Sequence, residues 1–119
     1  MKEFTVRRSK WVRGDGINGD ARLLNSNNCM CCLGFAICQI TKMPQEELMD
    51  KRMPSHVFTR KSFLTETTQR LTGGSFVSDN ELANDASLIN DNSVITDAVR
   101  ETELKKIFRK HGIKINFKD

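Results

Sequence analysis

The segment from Cys32 to Ile40 constrains the fold more than any other stretch of this chain. Leu33, Ala36, Ile37 and Ile40 recur at i, i+3, i+4 and i+7, the spacing of one helical face. Cys32 and Phe35 widen that stripe until apolar residues cover most of the circumference. A helix that is apolar nearly all round has to be covered on several sides, so the other elements must wrap it. With 119 residues and 38% hydrophobic content, the chain carries enough apolar material for one such core. Its charged fraction of 29% comes with ample apolar residues, so the composition is not that of a disordered chain. Only two prolines occur and no stretch reads as a linker, so residues 1–119 are read as a single domain.

The elements around the core helix are shorter. Phe4-Thr5-Val6 alternates with charged neighbours and predicts a strand. Arg13 to Asp20 is rich in glycine, aspartate and asparagine and predicts a loop. Its Gly14-x-Gly16 is not a dinucleotide fingerprint, because no apolar strand leads into it and no glycine opens a helix after it. Arg22-Leu23-Leu24 reads as a second short strand, and Asn25 to Asn28 as a turn. Pro44 suits the start of a short helix through Leu48. His56 to Phe58 and Lys61 to Leu64 read as short strands, and Thr72 to Ser75 as a turn.

Two further helices follow. One starts near Ser78 to Glu81, turns Leu82, Ala83, Ala86 and Ile89 inward, and stops at Asn90-Asp91-Asn92. The other is capped by Thr96, with Asp97 at the positive end of its dipole. Its inner stripe is Val99, Leu104, Ile107 and Phe108, and Lys105, Lys106, Arg109 and Lys110 crowd its last turns. Gly112 occupies the left-handed stop, and Ile113 to Phe117 is a strict period-2 strand. The expected architecture is α+β, with the core helix and the C-terminal helix packed on a small antiparallel sheet that includes both terminal strands.

No apolar run approaches the roughly 18 residues of a membrane helix, and Met1-Lys2-Glu3-Phe4 lacks the apolar stretch of a signal peptide. The chain is therefore expected to stay in the cytoplasm where it is made. The four cysteines, Cys29, Cys31, Cys32 and Cys38, cluster within one short segment. A disulfide framework would spread them out to close long loops, so reduced thiols are expected. The Cys-x-Cys-Cys-x5-Cys spacing lacks the second knuckle of a structural zinc site, and His56 or His111 would have to complete a ligand set. No metal and no cofactor are expected.

A thiol nucleophile is the sharper alternative. A helix dipole stabilises a thiolate at its N-terminus, and Cys31 or Cys32 stands there. Cys32-Leu33-Gly34-Phe35 loosely resembles the Cys-x-Gly-Phe of papain-like and cell-wall-peptidase cysteine hydrolases. His56 would be the base, since His111 is better explained as a cation in a helix's last turn.

Charge is distributed unevenly. The net charge of +4 hides basic ends around an acidic third quarter. Residues 1–13 hold five cations and one carboxylate, residues 71–103 hold seven carboxylates and one cation, and residues 104–119 hold six cations and one carboxylate. Such a chain can steer an anionic partner to one face, or the charges can simply be solvated. The candidate basic face is Arg7, Arg8, Lys10 and Arg13, with Trp11 as a ring for stacking a base. The plainer reading of these cations is a guarded edge strand.

Several blocks occur in a characteristic order: Trp11-x-Arg13-Gly14, Leu23-Leu24, Met30 to Phe35, Met53-Pro54, Leu88-Ile89-Asn90-Asp91, and Phe108 to Phe117. Together they resemble a widespread set of small bacteriophage and prophage proteins marked by a Cys-Cys-Leu-Gly block and a later Leu-Asn-Asp block. Here Ala36-Ile37-Cys38 replaces the common Val-Leu-Cys, and Ile89-Asn90-Asp91 replaces Leu-Asn-Asp. The set offers no catalytic or ligand residues to carry over. What the resemblance implies is a role class. Small accessory phage proteins act by binding: they block a host enzyme, disable a defence complex or sequester a signal nucleotide. The expected function is thus capture and inhibition of a host protein, a defence component among the candidates. The alternatives are an anion-binding module for a nucleotide or nucleic acid and a cysteine-dependent hydrolase. Asn90-Asp91 either satisfies loop backbone or lines a site, and its chemistry favours the backbone role.

Overall fold

The computed structural model describes residues 2–14, 16–19, 22–42, 44–49 and 81–119. Strand β1 is Lys2–Arg7, helix α1 is Cys32–Thr41, helix α2 is Glu81–Asp91, helix α3 is Asp97–Lys110 and strand β2 is Ile113–Lys118. Short 3-10 turns cover Arg8–Lys10 and Gln45–Leu48. The strands and turn read between His56 and Ser75 lie outside the described residues.

The sheet overturns one expectation. Among the described residues it has two strands, and they run parallel, from Lys2 opposite Ile113 to Arg7 opposite Lys118. A parallel pair needs a long crossover, and nearly the whole chain lies between β1 and β2. Period-2 alternation says which face of a strand is buried, but not which way its neighbour runs. In the parallel register Phe4 meets Ile115 and Val6 meets Phe117, so the apolar positions coincide on the inner face. The expected strand at Arg22 to Leu24 is also absent. Leu24 forms only an isolated bridge to Met49, while Leu23 and Leu24 are buried as part of the core.

Helix α1 is enclosed as its all-round stripe requires, packing against β1 and α2. Cys32, Leu33, Phe35, Ala36 and Ile37 are buried, and Ile40 is half-buried. Gly34 allows that packing, because a Cβ built there would stand 2.2 Å from the Leu23 carbonyl oxygen. Beneath the sheet, Phe4 and Phe108 meet edge-to-face at 5.0 Å, and Trp11 meets Phe117 at 5.1 Å.

Helix α3 starts as its sequence predicts, with the Thr96 hydroxyl accepting from the Val99 N–H at 3.3 Å. Its inner stripe differs from expectation. Val99 is 46% exposed, and Arg100 is buried in line with Leu104 and Phe108. Arg100 can be buried because its guanidinium meets the Asp97 carboxylate and donates to the Asn92 and Ile95 carbonyls. That tie closes the loop between α2 and α3. Gly112, at φ +76°, then turns the chain into β2.

Asn90, the penultimate residue of α2, is fully buried. Its Oδ1 accepts from the Trp11 indole N–H at 2.7 Å and from the Cys32 backbone N–H at 3.1 Å. Its Nδ2 donates to the Val12 carbonyl at 2.9 Å and to the Asp91 carboxylate at 2.8 Å. Its own carbonyl accepts from the Gly14 N–H at 2.9 Å. One amide thus joins α2, the start of α1 and the segment after β1.

Asn90→Ala leaves three buried groups unpaired, each costing about 1–3 kcal/mol. Non-additivity among neighbours brings the expected loss to about 3–5 kcal/mol in urea unfolding; a loss below about 1 kcal/mol contradicts the bonding described. Gly34→Ala should cost about 1–3 kcal/mol in the same assay, because α1 must back away from Leu23.

Candidate functional site

The thiols sit where the sequence puts them, at the start of α1, but their chemistry opposes nucleophilic use. Cys31 is the N-cap residue and Cys32 opens the helix. The Cys32 N–H, which would help to stabilise an anion, is given to Asn90. Cys32 is fully buried, and desolvation pushes its thiol well above the usual range. Cys31 keeps part of its surface open, yet desolvation still pushes its thiol up to about 12. Cys38 rises to about 11, from desolvation first and then the Glu46 charge. All four cysteines are free thiols. His56 lies outside the described residues. His111 caps α3, giving its backbone N–H to Phe108 at 3.0 Å. Among the described residues, no three histidine, cysteine, aspartate or glutamate side chains gather where they could hold a metal ion.

The proposed basic face divides. Arg7 and Lys10 are exposed. Arg8 grips Glu101 through two hydrogen bonds, of 2.8 and 2.9 Å, and reaches Asp119 at 3.0 Å. Arg13 lies 4.5 Å from the Trp11 ring centre and pairs with Asp97 at 3.1 Å. That guanidinium is the largest cause holding the Asp97 carboxyl below its ordinary range. Trp11 is fully buried, so it offers no ring for stacking a base. Its indole N–H required an internal partner once buried, and Asn90 supplies one. Arg8, Trp11 and Arg13 therefore hold the fold together, tying the segment after β1 to α3 and Asn90.

The structure brings together a different set of cations. Parallel pairing puts the two terminal strands side by side and Arg7 opposite Lys118, but among the described residues the clustered cations all come from the C-terminal end of the sequence, on α3 and β2. A groove of about 1030 Å³ crosses both strands, from Gln39 and Thr5 on the β1 side to α3 on the β2 side. Lys114 and Lys118 line it from the outer face of β2, and Lys105 and Arg109 line it from α3. Among the described residues Glu3 is its one carboxylate, and it accepts from the Asn116 amide at 3.2 Å. Lys105 also reaches within 5.9 Å of the Phe117 ring centre. On the exposed sheet face Arg7 stands directly opposite Lys118. Like charges in that position repel by a few tenths of a kcal/mol or more. The basic C-terminal end was visible in the sequence, but its cations' gathering at one groove was not, because it depends on how α3 packs beside β2.

Among the described residues, no helix is long and apolar enough to cross a membrane. Comparison with protein-family models, curated proteins and solved structures finds no match.

If burial governs the thiols, alkylation of native Cys31 by iodoacetamide should be at least about thirtyfold slower at neutral pH than that of an ordinary thiol, since the thiolate is about a thousandfold scarcer but each one is more nucleophilic. The reason is a thiolate pKa of about 12 in place of 9.0. The rate should climb with pH up to that value, as followed by peptide mapping. A midpoint at or below the ordinary 9.0 would restore the nucleophile.

Proposed function

We propose that this chain is an accessory phage protein that works in the host cytoplasm by binding and inhibiting a host protein, with a defence component as the intended class. The observation that carries this reading is the groove across the sheet, where Lys105 and Arg109 of α3 and Lys114 and Lys118 of β2 line one open, cationic surface. Among the described residues the one opposed like-charge pair of the sheet, Arg7 and Lys118, costs stability in isolation, whereas Lys114 stands opposite Glu3. An anionic surface laid across that like-charge pair turns its cost into binding energy and speeds encounter. The resemblance to small phage proteins supplies the setting, and the raised thiol pKa values count against the cysteine-hydrolase alternative.

Capture of a nucleotide or nucleic acid is a second reading, because the same four cations suit phosphate. The burial of Trp11 weighs against it, since sequence-tolerant binding of single strands relies on exposed stacking rings.

Tagged protein drawn from a bacterial host lysate should retain one dominant host protein in a stoichiometric complex, identified by mass spectrometry and sized by light scattering. Extracted small molecules are analysed in the same experiment. A co-purified nucleotide without a protein would favour the second reading, and the absence of any stoichiometric protein complex counts against the first.

A further inference from the structure

The two edges of the sheet are treated differently. The outer edge of β1 is closed by a side chain. Gln39 accepts from the Thr5 N–H at 2.8 Å and donates to the Thr5 carbonyl at 2.7 Å, as a neighbouring strand would. Among the described residues, β2 has β1 as its one strand neighbour, and the groove that crosses the sheet reaches Lys105 and Arg109 on the β2 side. An open edge is a template for another chain, and proteins usually blunt it. Here the blunting device stands on β1.

The cations are arranged on both sides of the open strand. Lys114 and Lys118 share its outer face, four residues and so about 13 Å apart. On the other side, Lys105 lies near Phe117, which faces inward with Ile113 and Ile115. Arg109 follows one turn along α3, about 6 Å on. A strand added at this edge would present alternate side chains to the two sides. Both sets would meet positive charge.

We infer that the edge of β2 takes an acidic, extended segment of the partner protein as a third strand, with carboxylates on both of its faces. The inference rests on the binding-protein reading above and names the surface and the chemistry of the partner. Backbone hydrogen bonds along β2 supply affinity in this mode, and the flanking lysines and arginine select the charge of the segment. A nucleic acid would use the same cations but not the backbone edge, and that difference separates the two.

The test uses the full chain and a fluorescent peptide of about eight residues, a strand's length, alternating glutamate and threonine. Binding followed by anisotropy should weaken with salt, and the lysine-threonine counterpart should not bind. Two versions of the peptide carry N-methyl groups on alternate residues, in opposite phase. At least one should lose binding about tenfold or more, because an added strand offers every second N–H to the edge. Lys114→Glu with Lys118→Glu should weaken the parent peptide by about tenfold, with an unchanged thermal melt showing that the variant is folded. Undiminished binding by both methylated peptides overturns the strand, as does a thymidine oligonucleotide that binds more tightly than the peptide. A host complex that forms equally well with the double variant shows that the protein binds through another surface, which ends this inference and leaves the binding reading standing. If no host complex forms at all, the binding reading fails on its own experiment.

Discussion

The buried amide of Asn90 is the constraint on which the rest of the structure depends. It lies at the end of α2 and meets the side chain of Trp11, the backbone of Val12 and the first N–H of α1. These groups come from distant parts of the sequence, and each would be an unpaired polar group in the core without it. The amide is suited to the place because it accepts at one atom and donates at the other. Alternatives fail on one side: a carboxylate cannot donate, and an apolar residue can do neither. The Asn-Asp block is therefore a structural device whose purpose depends on a tryptophan far upstream.

With that junction made, the other features follow in order. The segment after β1 is drawn across the core, where the Val12 N–H donates to the Met30 carbonyl and the Met30 N–H to the Lys10 carbonyl, each at 2.8 Å. Helix α1 is then seated between the sheet and α2, close enough at Gly34 to press on the backbone of Leu23. Arg100 fixes the path from α2 into α3, and α3 delivers β2 alongside β1. The groove results from this closure. Among the described residues its cations all come from α3 and β2, while β1 supplies Glu3 and Thr5 to its lining.

The cysteine cluster shows how local chemistry yields to burial. A helix N-terminus lowers a thiol's pKa in a wet, open setting. Here Cys32 is fully buried and Cys31 largely so. The Cys32 N–H is already engaged, and desolvation outweighs the dipole in Cys31 and Cys32 alike. These thiols behave as small apolar residues that let a crowded helix pack.

The sequence by itself determined the parts that depend on neighbours along the chain. The burial of α1, the Thr96 cap, the Gly112 stop and the alternation of β1 and β2 all follow from spacing and capping within a few residues. Tertiary structure decided whatever depends on which segments meet. It made the sheet parallel, because alternation is the same for either strand direction. It placed Arg100 inside and Val99 outside, because carbonyls of the preceding loop were there to receive the guanidinium. It turned Trp11 and Arg13 from a proposed binding face into a buried ring and its cover, since Asn90 and Asp97 lie far along the chain. The candidate site followed the same rule. Its cations could be read at the C-terminal end of the sequence, but only the packing of α3 beside β2 made them line one groove.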